Sequence, residues 1–293
     1  MAKLLDYSYI DSIIGIRVFE LYNIEEMTKL NKDTFLSDIY HGNYRNLQSI
    51  DMVINTELLN VKNELIGLLG KDHPLLLIHY INYDIENICS TFYAKNENND
   101  FIHSSLGYFS KEELFNIVNY KNSDDSSYLG FLLSERLGTI HISQGDVLLT
   151  IPGILYQLLA DSVVIESEEV IKDYLKIRID FINIMNFIAK SAGVISNYAF
   201  LGHGTYTSSE FAEYELKPLS EFIPTYSYGK VNVIINEYLM DNDLISLQRK
   251  LNDTLIDTIK AWPDSSLKNT IIYLLLKEKE VKMIKERYYV LND

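Results

Sequence analysis

The chain has 293 residues, of which 47% are hydrophobic and 23% are charged, the balance of an ordinary folded globular protein. Its 26 basic and 41 acidic residues leave a net charge of −15. Such a charge repels phosphate backbones and anionic lipid heads, so it argues against nucleic-acid binding and against membrane anchoring through a basic patch. It suits either a basic protein partner or simple solubility.

Three features bear on the compartment. The single cysteine, Cys89, cannot form an internal disulfide, as is usual in a reducing compartment. Residues 1–7 show neither the apolar core nor the cleavage site of a signal peptide. The longest apolar stretch, residues 147–160, is interrupted by Pro152 and Gly153 and is too short to span a bilayer. We therefore expect a cytoplasmic protein that reaches a membrane only through another protein.

Helical periodicity runs along the whole chain. Apolar residues recur at steps of three and four, which places them on one face of a helix. In chain order, the clearest stripes are Tyr7, Ile10, Ile14, Val18 and Leu21; Leu77, Ile81, Ile85, Ile88 and Phe92; Ile171, Tyr174, Leu175, Ile182, Met185 and Ile188; and Ile272, Leu275, Leu276, Val281 and Ile284. The best strand candidate is one short run at residues 230–234. The sequence therefore predicts an all-α protein.

Three predicted helix starts share one pattern, in which a capping residue is followed three positions later by glutamate and then by an apolar residue. The cap and glutamate pairs are Asn23 and Glu26, Ser110 and Glu113, and Thr207 and Glu210. A cap of this kind accepts from a backbone N–H of the first turn, while the glutamate bonds back to the cap's own N–H. The caps lie 87 and 97 residues apart, so they indicate an internal repeat.

A second element follows each of these starts. It reads Tyr-Asp-Ile-Glu-Asn-Ile at residues 83–88, Ile-Asp-Phe-Ile-Asn-Ile at residues 179–184, and Lys-Glu-Val-Lys-Met-Ile at residues 279–284. Its acidic positions lie 96 and 100 residues apart. In the first two copies an asparagine follows the aspartate by three positions, which puts both polar side chains on the same side of a helix.

These polar pairs, Asp84 with Asn87 and Asp180 with Asn183, flank the apolar stripes of their helices. We interpret them as structural groups that bond to a neighbouring helix end or loop backbone and so hold each unit together. Contact with a protein partner is the alternative.

The repeats divide the chain into three similar helical units of roughly 95 residues each. We assign residues 1–104, with the N-terminal helix, to the first, residues 105–201 to the second and residues 202–293 to the third. Polar and glycine-containing segments mark the breaks. None of these breaks is long enough to be a flexible linker, so the units should pack directly on one another.

Residues 83–88 and 179–184 resemble segments of the C-type subunit of bacterial and archaeal V/A-type ATPases, the counterpart of the d-type subunit in eukaryotic vacuolar ATPases. Residues 273–284 are similar to the Glu-x-Glu-x-x-Asn-Ile ending of that family, with Met283 in place of the asparagine. The likeness keeps the same order and spacing through most of the chain, and it includes residues 106–110, which resemble the family's turn between repeats.

The resemblance implies a funnel of three similar helical bundles around a pseudo-threefold axis. It also implies a monomeric, non-catalytic subunit without a cofactor, peripheral on the membrane, in a machine that moves protons or sodium ions. One end would sit on the membrane rotor ring of proteolipid subunits, and the cavity would receive the central shaft of D- and F-type subunits. The candidate residues for structure or interface are Asp84, Asn87, Asp180, Asn183, Glu278 and Glu280.

Enzymatic alternatives find little support in the residues. Asp124 and Asp125 lack the third carboxylate that a magnesium–diphosphate site of a prenyl-transfer enzyme needs. Residues 202–204, Gly-His-Gly, lack the spacing and the lysine of a P-loop. Residues 241–243, Asp-Asn-Asp, lack the glycine and the terminal glutamate of a calcium loop.

The cysteine and the histidines give no sign of a catalytic or metal site either. Cys89 falls within a predicted helix, where a small core or boundary residue is a simpler interpretation than a nucleophile. The histidines, His141 among them, show no metal-ligand spacing. We therefore expect no catalytic residue and no metal site, and the alternative function is a helical-repeat scaffold that binds another cytoplasmic complex.

Overall fold

The structure, a computed structural model, describes residues 7–19, 21, 24–27, 29–41, 49–97, 103–121, 126–140, 142, 146–165, 167–221 and 231–292. Regular structure in these ranges is helical and includes no strand, which confirms the all-α prediction. The helices are α1 (Tyr7–Phe19), α2 (Ile24–Met27), α3 (Lys32–His41), α4 (Ile50–Leu69), α5 (Pro74–Glu97), α6 (Lys111–Val118), α7 (Tyr128–Gly138), α8 (Val147–Leu158), α9 (Glu169–Ser191), α10 (Ser208–Glu215), α11 (Val231–Asp241), α12 (Leu244–Lys260) and α13 (Lys268–Asn292).

Side-chain caps explain where several helices begin. The residue before the helix accepts a hydrogen bond from a backbone N–H of the first turn, which would otherwise have no intrahelical partner. The caps of α4, α6, α7, α10 and α12 are Ser49, Ser110, Ser127, Thr207 and Asp243. These residue types are the preferred helix caps, so local sequence decides these boundaries.

The strand prediction at residues 230–234 is wrong for the part that is described, because residues 231–234 begin α11. Lys230 lies outside the described residues. The buried side chains of α11 are Val231, Ile234, Ile235 and Tyr238. Their spacing of three and four matches a helix packed on one side, so burial of that face overrides the strand preference of β-branched residues.

Helix order repeats along the chain. The sequence α5, α6, α7, α8 is followed by α9, α10, α11, α12 and then by α13. Both α6 and α10 have 8 residues, and both α7 and α11 have 11. The internal repeat that the sequence indicates therefore appears as a recurring order of long and short helices.

The same positions are buried in successive copies of the long helix. Buried residues of α5 recur in α9 after 96 residues, as Leu75 and Ile171, Ile78 and Tyr174, Ile81 and Ile177, Asp84 and Asp180, Asn87 and Asn183, and Ile88 and Ile184. Those of α9 recur in α13 after 100 residues, as Ile171 and Ile271, Tyr174 and Leu274, Ile177 and Lys277, Asp180 and Glu280, and Ile184 and Ile284. The polar motif thus occupies one fixed place in each long helix.

The chain forms two compact units. Unit 1 contains Met1–Leu76 and Pro263–Asp293, and within it α1, α2 and α4 pack against α13. Unit 2 contains Leu77–Trp262, and within it α7 packs against α6 and α8, while α12 packs against α9 and α11. The division at residues 1–104, 105–201 and 202–293, and the arrangement of three bundles around an axis, stay predictions.

No helix in the described part of the chain combines the length and the apolar character that a membrane crossing requires.

A buried histidine shapes the start of α5 in unit 1. His73 is 7% exposed, and its Nδ1 accepts a hydrogen bond from the N–H of Leu75 at 3.3 Å. Its Nε2 lies 3.2 Å from the hydroxyl of Tyr7, the first residue of α1. Since Nδ1 is a hydrogen-bond acceptor, the ring is held neutral with its hydrogen on Nε2. Burial lowers the pKa of His73 from 6.5 to about 4.

We expect His73 to make stability depend on pH in mildly acidic solution. The unfolded chain binds a proton near pH 6.5 and the folded chain near pH 4. As the pH falls through this window, the free energy of unfolding should decrease by up to about 3 kcal/mol and then level off. Chemical denaturation from pH 7.5 to 3.5 measures this change. His73→Asn keeps an acceptor for Leu75 and cannot titrate, so an identical pH profile in that variant would contradict the assignment.

Candidate functional site

The first polar pair ties α5 to the loop that follows it. Asp84 Oδ1 accepts hydrogen bonds from the N–H groups of Tyr108 at 2.7 Å and Phe109 at 3.2 Å. Asn87 bonds to Ser104 in both directions, donating from Nδ2 to its carbonyl at 2.9 Å and accepting from its N–H at 2.8 Å. Asp84 and Asn87 are both buried. Two side chains one helical turn apart therefore hold two points of one loop.

The second polar pair makes the same bonds from α9. Asp180 Oδ1 accepts from the N–H groups of Thr205 at 2.8 Å and Tyr206 at 3.3 Å. Asn183 donates to the carbonyl of Leu201 at 2.9 Å and accepts from its N–H at 2.9 Å. Asp180 and Asn183 have no exposed surface. We call each set of bonds a clasp, the first formed by Asp84 and Asn87 and the second by Asp180 and Asn183.

Each clasp needs a glycine in its loop. A Cβ atom on Gly107 would lie 2.6 Å from both Asp84 Oδ1 and Asn87 Nδ2. A Cβ atom on Gly204 would overlap Asp180 Oδ1. The loop backbone approaches the carboxylate so closely that no larger residue fits. The sequence shows these glycines 97 residues apart, but the reason for them is visible only in the clasp.

The loop of each clasp leads directly into a capped helix. At α10, Thr207 and Glu210 form the full reciprocal box, with the N–H of Thr207 bonded to Glu210 Oε2 at 2.7 Å. At α6, Ser110 Oγ accepts from the N–H of Glu113 at 3.1 Å. The Glu113 carboxylate bonds instead to the N–H of Ser127 at 2.8 Å and to its hydroxyl, at the start of α7. The box predicted at Asn23 lies outside the described residues.

The third copy of the motif has a different chemistry. Glu280 occupies the place of Asp180 on α13, and its Oε2 lies 2.6 Å from the ammonium of Lys277. Lys277 also lies 2.9 Å from Glu57 Oε1 on α4. Lys277 and Glu280 are 2% and 1% exposed. The third motif therefore joins two helices of unit 1 through charged side chains, of which Lys277 and Glu280 are buried. Glu278, the remaining candidate of this motif, is half-buried.

One structural carboxylate has no counterpart among the residues predicted from sequence. Asp11 lies on the buried side of α1, where its Oδ1 accepts from the N–H of Thr270 at 2.8 Å and from its hydroxyl at 3.1 Å. Thr270 is in the first turn of α13, whose backbone N–H groups have no partner within the helix. Asp11 therefore caps α13 from another helix. Its only sequence signal is an acidic residue beside Ile10 on an apolar stripe.

Four of the residues considered for enzymatic chemistry lie in the described part of the chain and have local contacts. Burial raises the pKa of the Cys89 thiol to about 11, which keeps the sulfur protonated and unreactive at neutral pH. His203 Nε2 lies 3.5 Å from Asp161 Oδ1 in an exposed pair. Asp243 caps α12 through the N–H groups at the start of that helix, and Asp241 accepts from the N–H of Asp243 at 2.9 Å. Asp124, Asp125 and His141 lie outside the described residues.

Within the part of the chain that the structure describes, no group of three or more histidine, cysteine, aspartate or glutamate side chains is arranged to hold a metal ion. The two clasps direct their polar atoms at backbone groups of their own chain, and the buried lysine neutralises carboxylates of its own chain. No protein-family model matches the sequence, and neither does any curated protein.

Proposed function

We propose that the chain is a non-catalytic coupling subunit of a V/A-type rotary ATPase. In this role it joins the central shaft of D- and F-type subunits to the membrane ring of proteolipid subunits and transmits torque between them. The complex moves protons or sodium ions, and other subunits make or hydrolyse ATP. The chain is a monomer in that complex, on the cytoplasmic side of the membrane, and is peripheral to it.

The repetition of the clasp carries this proposal. The pairs at Asp84 and Asp180 are the segments that resemble the rotor-subunit family, and each binds the loop that follows its helix through equivalent backbone atoms. A part that transmits torque must resist twisting. A helix bonded at two points to its own loop cannot rotate or slide against that loop without breaking buried hydrogen bonds. The clasps therefore suit a mechanical role.

The charge of the chain supports a role in which it binds other proteins. Its net charge of −15 repels anions and attracts basic surfaces. Complementary charge orients two proteins and speeds their association more than it adds affinity. This acidic subunit would attract a shaft whose contact surface is basic.

Co-purification tests the function. We expect a tagged copy, extracted with mild detergent from its own cells, to bring with it two shaft subunits and a proteolipid ring, with a mass that native mass spectrometry can assign.

We expect the isolated chain to hydrolyse no ATP above background. The background rate of ATP hydrolysis is that of the same complex with alanine substitutions in its catalytic subunits. Association with a different cytoplasmic complex, without ring or shaft, would instead identify the helical-repeat scaffold.

The salt dependence of shaft binding is a separate prediction. Because the proposed attraction is between unlike charges, the dissociation constant should rise by about tenfold or more between low and physiological ionic strength. Helicity measured by circular dichroism should stay constant over the same range. Binding that does not change with salt at constant helicity would show that the interface is apolar and that the acidic charge serves solubility.

A further inference from the structure

The hairpin formed by α11 and α12 exposes several apolar side chains. We call it the α11–α12 tip and define it by Val233, Leu239, Met240 and Ile245 with Asp241 and Asp243. Met240 is 88% exposed, Ile245 is 65% exposed and Val233 is 53% exposed. All of these residues lie within thirteen consecutive positions of unit 2, on the two helices of one hairpin. Val233 and Met240 are seven positions apart and therefore share a face of α11.

The fold of the repeat does not require apolar side chains at two of these positions. The buried residues of α7 recur in α11 after 101 residues, as Gly130 and Val231, Leu133 and Ile234, Ser134 and Ile235, and Leu137 and Tyr238. In this register Gly138 and Thr139 stand where α11 carries Leu239 and Met240. One copy of the hairpin therefore folds with a glycine and a threonine at the positions where the other exposes leucine and methionine.

Two carboxylates lie at the turn of the hairpin. Asp241 and Asp243 flank Asn242, and both are exposed. The first basic residues of α12, Arg249 and Lys250, follow about two helical turns further on. Lys250 is bonded to Glu237 Oε2 at 2.8 Å, and its pKa is raised first by that bond and then by the charges of Asp241 and Asp243. The end of the tip consequently presents negative charge beside exposed methionine.

We propose that the α11–α12 tip is a docking surface for a protein partner that presents a basic helix with an apolar face. The apolar side chains supply the surface that such a helix buries, and methionine adapts its shape to different partners. The carboxylates select a cationic partner and disfavour an acidic one. This surface is independent of the rotary-ATPase proposal, since it follows from the hairpin alone.

Three synthetic helical peptides of equal length test the proposal on the full chain. One consists of leucine and lysine, one of leucine and glutamate, and one of serine and lysine. Fluorescence anisotropy should show binding of the leucine–lysine peptide only.

Met240→Gln and Ile245→Gln should each weaken that binding by about tenfold. Asp241→Asn keeps the acceptor for Asp243 and should reduce the salt dependence of binding.

Leu216→Gln is the matched control, because Leu216 is 89% exposed at the end of α10 in the same unit. It should leave peptide binding unchanged. Equal binding of the serine–lysine peptide, or an equal loss in Leu216→Gln, would overturn the proposal in favour of general attraction to an acidic protein.

Self-association that Met240→Gln abolishes would overturn the proposal in favour of a second copy of this chain. Binding to phosphatidylcholine vesicles that Met240→Gln abolishes would overturn it in favour of a lipid surface.

Discussion

Lys277→Met should lower the free energy of unfolding by about 3–5 kcal/mol, because it leaves two carboxylates, one of them fully buried, without their counter-charge. Glu280 and Glu57 lie 2.6 Å and 2.9 Å from the ammonium that the change removes. Methionine fits the space, since Ile177 is the buried residue at the equivalent position of α9. Urea denaturation at pH 7 measures the loss.

The same substitution at an exposed ion pair of the same helix is the control. Lys285 lies 2.5 Å from Asp51, but both side chains are nearly half exposed, so Lys285→Met should change stability by no more than about 1 kcal/mol. Adding Glu280→Leu to Lys277→Met should recover much of the loss, since apolar residues can replace a buried pair. A loss no larger than that of Lys285→Met would show that water reaches the carboxylate of Glu280 as well as that of Glu57.

Asp180→Ala should lower the free energy of unfolding by about 1–3 kcal/mol, because the N–H groups of Thr205 and Tyr206 lose their common acceptor. Asp180→Asn keeps an oxygen at the same place and should lose less. Thermal and urea denaturation measure both variants. If Asp180→Ala melts like the unaltered chain but no longer binds its partner, Asp180 is a contact residue and the structural interpretation is wrong.

A double substitution isolates the clasp itself. Gly204→Ala alone places a Cβ atom against Asp180 Oδ1 and should destabilise the chain. In the Asp180→Ala background that oxygen is absent and only the contact with Ile179 Cγ2 at 2.9 Å remains, so the same change should have a smaller effect. The difference between the two effects measures the contact directly. Equal effects in both backgrounds would place the constraint on Gly204 elsewhere than in the second clasp.

The sequence predicts the all-α class because helix caps and apolar stripes are local. It also locates the polar positions that form the clasps, since Asp84 and Asp180 stand at fixed points of a repeat. The strand prediction fails at Val231 because β-branched residues favour a strand, whereas the spacing of the buried side chains of α11 is helical. Tertiary burial here decides between the strand preference of the residue types and the helical spacing of the apolar positions.

Other contacts have no local signature at all. Asp11 and Thr270 are 259 positions apart, and neither carries a pattern that points to the other. Glu57 and Lys277 are also remote in sequence, so the second partner of Lys277 could not be derived from the motif that contains Lys277 and Glu280. Pairings of this kind depend on how helices pack, which a single sequence does not encode in any short segment.

Unit 1 combines two segments that are separated in the chain by the whole of unit 2, so its parts are synthesised at different times. Ribosomes add about 5–20 residues per second, so roughly 13–50 seconds separate the emergence of Asp11 from that of Thr270. Until then the side of α1 that packs on α13 has no partner, whereas α6 through α12 can already pack among themselves. The side of α1 that carries Asp11 therefore stays exposed to solvent until α13 has been made.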